Sequence, residues 1–387
     1  MKILVAPNAL KGSLDAFATA RAIADGLARA GTGAVIDQLP VADGGDGTAK
    51  VLVAARGGWM IDADVEGPRG AKVRACMGWL GDVEGASTAV IEVALAVGLA
   101  LLSPGERDPL VASSYGAGQL VVAALDRGAR RIFVGLGGSA TVDGAAGLVE
   151  ALGARLLDRN GRAIARGGAG LGDLDRIDIA ALDPRLESAE LVALCDVDNP
   201  LLGETGAARV FGPQKGATPA AVERLEANLE RLAAIISRDL GRDVRTLVHG
   251  GAAGGMGAGI AGILGATLAP GADRVLDLLR FEERLAGCHL VVTAEGLLDR
   301  QTLGRKAPLA VASRARRRGV PVVALAGGIA GDVAPRDFAA FDAILTTAAG
   351  PISIEEAMAK AADRMTDAAE QLGRLLALGA AAMRAPR

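Results

Sequence analysis

The stretch Arg131 to Leu148, RIFVGLGGSATVDGAAGL, constrains the fold more than any other. Ile132-Phe133-Val134 is a β-branched and aromatic run that reads as a buried strand. Gly135-Leu136-Gly137-Gly138-Ser139 follows, then Thr141 and Asp143, then small apolar residues that read as a helix. A strand that feeds a glycine turn and then a helix exposes backbone N–H groups at the helix start, where the helix dipole adds partial positive charge. Glycine has no Cβ, so a polyphosphate can approach the backbone. Gly137, Gly138, Ser139, Thr141 and Asp143 are therefore candidate phosphate-binding residues. The loop is not a Walker A sequence, because no Gly-Lys-Ser/Thr follows the glycines. A turn that only packs has the same composition.

The flanking sequence repeats this alternation of strand and helix. Lys2 to Ala6 reads as a strand, Ser13 as the cap of a helix with Phe17, Ala20, Ala24 and Leu27 on one face, and Ala34 to Leu39 as a second strand. Strand, helix, strand with short links implies a right-handed parallel unit with ligands at the carboxyl ends of its strands. That places Lys11 and Ser13 at a site edge. Between Trp59 and Trp79, short alternating segments flank Gly67-Pro68-Arg69-Gly70 and read as a hairpin. Asp158-Arg159-Asn160-Gly161 is a second hairpin turn. Thr218-Pro219 starts a long amphipathic helix, with threonine as cap and proline at its first position. From Leu290 onward strands and helices alternate again.

A chain of 387 residues is long for one core. The expected fold is α/β with two domains. Residues 1–60 and 286–387 form a discontinuous Rossmann-like domain with a parallel sheet. Residues 61–285 form an inserted α/β domain with a mixed sheet.

Composition removes several functions. Aromatic residues make up 2% of the chain, too few for the stacking platforms that bind single-stranded nucleic acid. The net charge of -3, with both signs interspersed, gives no basic field for nucleic acid or membrane. Cys76, Cys195 and Cys288 lie far apart, with no CxxC and no zinc spacing to His249 or His289. Such cysteine usage fits a reducing cytoplasm. The apolar run at the N-terminus is too short for a signal peptide. Gly250 to Ala272 is uncharged and long enough to cross a bilayer, but its many glycines and Pro270 favour a glycine loop and a buried helix. Gly257-x-Gly259-x2-Gly262 within it matches a dinucleotide fingerprint, without a strand in front.

Other loops carry candidate chemistry. Asp43 lies in ADGGDGT, where a carboxylate among glycines reads as a site group or as a solvated turn with a helix cap. Asp196 and Asp198 follow a strand at Leu191 to Leu194. They can ligate magnesium, or simply form Asx turns at a strand end.

Taken together, ALKGSL (9–14), ADGGDGT (42–48), ASSYGAGQL (112–120), GLGGSATVDG (135–144), CDVDNPLLG (195–203), VFGPQKGAT (210–218), GGAAGGMGAG (250–259), EGLLDRQT (295–302) and KAP (306–308) resemble the bacterial glycerate kinases of the glycerate 2-kinase type. The resemblance spans nearly the whole chain. It implies ATP-dependent phosphorylation of D-glycerate at its 2-hydroxyl, magnesium as cofactor, and a site in the cleft between two α/β domains. A monomer or a homodimer is equally expected, since the sequence does not decide the oligomeric state. Phosphoryl transfer needs positioning and charge neutralisation more than covalent chemistry. On that basis Gly137, Gly138, Ser139, Thr141 and Asp143 are expected at the ATP phosphates, and Asp196, then Asp198 and Glu295, at magnesium. Lys11, then Lys306, would meet the glycerate carboxylate or the transferring phosphoryl. Asp43 would accept or orient the hydroxyl proton. Asn8, Ser13 and Arg69 complete the expected substrate contacts.

The chain departs from the family at several site loops. Asn8, Ala9 and Leu10 stand where the family usually has Asp, Ser and Phe. Ala294, Leu297 and Arg305 stand where it has Gly, Arg and Gly. These departures leave open a kinase for another small hydroxy acid, or an inactive ligand-binding homologue.

Overall fold

The computed structural model describes residues 1–384 except 301, 305, 349 and 351. The departure at Arg305 therefore lies outside the described residues. The chain forms two compact units, one from Met1–Asp43 with the residues from Ala272 onward, the other from Gly44–Gly271.

The chain starts in the first unit with β1 (Lys2–Val5), a helix at Ala16–Arg29 and β2 (Val35–Gln38). β1 and β2 pair in parallel, Ile3 opposite Ile36, which is the expected unit. Ser13 does not cap the helix. Leu10 to Leu14 closes a tight turn with Gly12 at φ 80, inside which Ser13 Oγ donates to the Leu10 carbonyl at 3.1 Å. The helix accordingly begins later, and Asp15 caps it by accepting from the Ala18 N–H at 2.8 Å. Ile23 and Leu27 face the core. Gly26 permits close packing against the C-terminal helix, because a Cβ there would lie 2.1 Å from the Thr366 carbonyl oxygen.

In the second unit, helix Thr48–Arg56 packs on an antiparallel meander of β3 (Trp59–Glu66), β4 (Lys72–Val83) and β5 (Ala86–Glu92). This helix precedes the boundary expected at residue 60, and its packing puts it with the second unit. The Gly67–Gly70 turn closes the β3–β4 hairpin. β6 (Arg131–Gly135) pairs in parallel with β5. β7 (Arg155–Leu157) and β8 (Arg176–Asp178) form a small separate ribbon. β9 (Glu190–Cys195) and β10 (Thr267–Pro270) complete the main sheet, whose order is β10-β9-β6-β5-β4-β3. Ile132 and Val134 are buried in its main core with Leu120, Leu148 and Leu232. Thr218 caps helix Pro219–Leu240 as expected, accepting from the Ala221 N–H at 3.3 Å.

Among the described residues no helix is long and apolar enough to cross a membrane. The glycine segment before β10 is instead a buried helical turn interrupted by left-handed Ala253, Gly254 and Gly255. No strand precedes Gly257, so the dinucleotide fingerprint lacks its frame.

The chain then returns to the first unit. β11 (Leu290–Leu298), helix Ala307–Arg317, β12 (Val322–Ile329) and β13 (Ala343–Thr346) extend an all-parallel sheet of order β13-β12-β11-β1-β2. The strand order reverses between β1 and β11. In open parallel sheets such a reversal opens a crevice at the carboxyl ends of the strands, where ligands bind.

Candidate active site

Two clusters of polar side chains stand at strand ends, one in each unit. In the first unit, Asn8 follows β1, Asp43 follows β2, and Glu295 lies within β11. Asn8 and Glu295 therefore flank the point where strand order reverses. Asn8 Nδ2 donates to Asp43 Oδ2 at 3.2 Å, while Asn8 Oδ1 accepts from the Ala9 N–H at 2.9 Å. Glu295 is 7% exposed. Its Oε2 is buried without a hydrogen-bond partner among the described residues. Burial pushes its carboxyl up to about 8, with Asp43 and Asp299 adding to the shift and Lys306 and the Asn8 amide opposing it. A buried carboxyl with a vacant acceptor, set between anionic and cationic neighbours, is suited to receive a ligand hydroxyl or a cation.

Lys306 stands at the N-terminal end of helix Ala307–Arg317, close enough to Glu295 to act on its charge. Lys11 is exposed in the loop after β1. Ser13 is held in its own turn by the Leu10 carbonyl. Leu297, where the family has arginine, is an exposed apolar side chain on β11.

In the second unit β5, β6 and β9 are adjacent and parallel, so Glu92, the Gly135 turn and Asp196 emerge at one edge of the sheet. Gly137 passes so close to the ADGGDGT loop that a Cβ would lie 2.7 Å from Gly45 Cα, and Gly138 takes φ 72. The helix after this turn starts only at Ala146, because Gly144 and Ala145 are left-handed. The helix thus follows Gly144, as the sequence suggests, and backbone groups and side chains shape the turn between it and β6.

Ser139, Thr141 and Asp143 are all buried. Asp143 Oδ2 accepts from the Ser114 N–H and Oγ, both at 2.8 Å, and these bonds brace the turn from inside. Burial pushes the Asp143 carboxyl up, opposed by those bonds. Asp196 is half-buried and Asp198 exposed. His249 Nδ1 lies 2.7 Å from the Val197 carbonyl and 3.3 Å from Asp198 Oδ1, which ties the aspartate loop to the glycine segment. Arg69 is exposed in the β3–β4 turn, donating to the Glu106 carbonyl at 3.0 Å.

Three residues with a part in this architecture were not singled out in the sequence. Glu92 accepts from the Gly47 N–H at 2.9 Å and the Ala49 N–H at 2.7 Å and so anchors the ADGGDGT loop; a single acid in the apolar run AVIEVAL is its signal. Lys215 donates to Ser139 Oγ at 3.0 Å and to the Thr141 carbonyl at 2.7 Å. His249 has no signal beyond its place before the glycines. No group of three or more metal-ligating side chains occurs among the described residues. Asp196 with Asp198, and Glu295, remain the candidate metal ligands.

The glycerate kinase family matches residues 3–377. A glycerate 2-kinase of Escherichia coli K12 is 43% identical over 379 residues, covering 98% of this chain and 99% of that protein. A glycerate kinase of Bacillus subtilis 168 is 43% identical, covering 96% and 97%. A crystal structure from Salmonella typhimurium LT2, provisionally assigned as glycerate kinase 2, superposes with a TM-score of 0.84 at 44% identity, covering 98% and 99% of the two chains. With a match of this length and depth, the chain belongs to the glycerate kinase family.

Proposed function

We propose that the protein transfers the γ-phosphoryl group of ATP to the 2-hydroxyl of D-glycerate, giving 2-phospho-D-glycerate and ADP. The observation that carries this reading is the end-to-end relationship, at 43% identity, with a protein named glycerate 2-kinase. The two strand-end clusters supply chemistry of the right kind. In the first unit, Lys306 and Lys11 meet the glycerate carboxylate, and Ser13 and Asn8 line the same loop. Asp43 orients the hydroxyl and takes its proton as the oxygen attacks. Glu295 offers the vacant Oε2 as a second acceptor. In the second unit, Gly137, Gly138, Ser139 and Thr141 hold the phosphates through backbone N–H groups and hydroxyls. Asp143 keeps that turn in shape, and Arg69 adds a cation at the same sheet edge.

Magnesium prefers one or two carboxylates, water and substrate phosphates to an all-protein cage. Asp196 and Asp198 fit that donor set, since both are carboxylates at a strand end and neither is fully buried. Glu295 is the further candidate, because its orphan oxygen is an unfilled ligand position. A bound magnesium ion offsets phosphate charge in a loose transition state.

The test is the position of the new phosphate. Incubation with ATP, magnesium and D-glycerate, followed by enolase alone, should yield phosphoenolpyruvate. A requirement for phosphoglycerate mutase would mean transfer to the 3-hydroxyl. Turnover with a different hydroxy acid and none with glycerate would make the Leu297 and Asn8 departures changes of specificity.

A further inference from the structure

Lys215 lies beneath the glycine turn that follows β6, only 4% exposed. Its backbone belongs to a short turn, Pro213–Lys215, closed by Gly216 at φ 96. Gly216 packs so closely that a Cβ would sit 2.3 Å from the Arg107 carbonyl oxygen. The lysine is thus fixed at its base, while its ammonium is fixed by Ser139 Oγ at 3.0 Å and the Thr141 carbonyl at 2.7 Å. Those two partners stand on either side of Ala140. A lysine removed from water is costly, and an apolar side chain would fill the same space more cheaply. Asp143 is the resident carboxyl near the ammonium, and a polyphosphate in front of the turn would add further negative charge.

Resting on the reading that this turn receives the nucleotide, we propose that Lys215 is a positioning residue for the polyphosphate. It ties Ser139 to Thr141, fixes the shape of the turn, and places a positive charge behind it.

The proposal has a signature that a purely structural lysine lacks. Burial pushes the Lys215 ammonium down to about 7, against the pull of Asp143. The charged group that acts on it is Asp143 on the same turn, itself pushed up by burial. A bound polyphosphate favours the charged lysine. Nucleotide binding should therefore take up a proton well above neutral pH, where the free lysine is uncharged. At about pH 6, where the lysine already carries its proton, this uptake should be absent.

The experiment is calorimetry of the full chain with a non-hydrolysable ATP analogue and magnesium, at about pH 6 and about pH 8.5, in buffers of different ionisation heat. Wild type should show the uptake at the higher pH only. Lys215→Met should weaken binding by about tenfold to a hundredfold, the range for losing charged hydrogen bonds, and abolish the uptake. Ser139→Ala, which leaves the charge in place, should weaken binding less and keep the uptake. Tight binding by folded Lys215→Met with unchanged uptake would overturn the proposal. So would absence of uptake in wild type, even if Lys215→Met failed to fold. Wild type that binds no nucleotide at either pH would instead overturn the reading of the turn itself.

Discussion

Asn8 Nδ2 donates to Asp43 Oδ2 across 3.2 Å, joining the loop after β1 to the loop after β2. The amide carries no charge, so it orients the carboxylate without competing for its proton. Aspartate at position 8 would instead put two carboxylates side by side, next to Glu295. Such pairs cannot both ionise easily. Asn8→Asp should therefore move the acidic limb of the kcat–pH profile upward by about one unit while leaving its plateau within about tenfold of wild type.

Asp43→Asn removes the group assigned to the hydroxyl proton. It should cost roughly a hundredfold to ten-thousandfold in kcat at saturating glycerate, with circular dichroism unchanged. A large gain from Asn8→Asp with little loss from Asp43→Asn would move the base to the loop after β1.

Glu295 links activity and stability to pH. Its carboxyl titrates near 8 in the folded protein, against an ordinary value near ~4.3 unfolded. Between those values the folded chain keeps a proton that the unfolded chain releases, so this group's contribution to stability falls as pH rises and is constant outside the window. Glu295→Gln mimics the protonated form. Its Tm should gain on wild type between pH 5 and pH 8, by on the order of 5 °C. A Tm difference that does not change with pH would mean that the carboxyl titrates normally.

Asp196→Asn should reduce turnover by on the order of a hundredfold or more if this carboxylate helps to place charge at the phosphates. The loss should be partly recovered at high magnesium. Near-normal rates in a folded variant would return the Asp196–Asp198 loop to a plain strand terminus.

Much of the fold was legible because parallel strands are short apolar runs. Ile132 to Val134 and Leu290 to Thr293 announced their strands, and Thr218-Pro219 announced a helix start. β10 was not legible, because TLAP carries a proline; it is tolerated there because β10 lies at the sheet edge. Ser13 looked like a cap, but Gly12 lets the chain turn once more before the helix begins. The site was legible as loops rather than as roles. Asp143 read as a phosphate-binding group, yet its carboxylate accepts from Ser114 within the unit. Lys215 was invisible as a buried group, since nothing local in GPQKGA says that its ammonium turns inward.

Outside the candidate site, Arg314 is the main test of the first unit's packing. Its guanidinium is held by Asp273 at 3.1 Å, Asp277 at 2.6 Å and Glu282 at 3.1 Å. The carboxylates are half-exposed, so the bonds are weaker than a fully buried network. Arg314→Met leaves the three acids facing one another and should cost about 1–3 kcal/mol, read by urea unfolding.

The position of β1 beside β11 also sets an order of events during synthesis. Ile3 finds its partner in Leu290, and Val5 in Val292. At ribosomal speeds of roughly 5–20 residues per second, β1 waits on the order of 15–60 s for that neighbour to be made. Gly44–Gly271 is continuous and contains its own sheet, so it is free to fold while β1 waits with β2 as its only available sheet neighbour. The nascent chain thus carries an open apolar strand edge for most of its elongation. Chaperone dependence should accordingly track the N-terminal forty residues rather than the inserted segment.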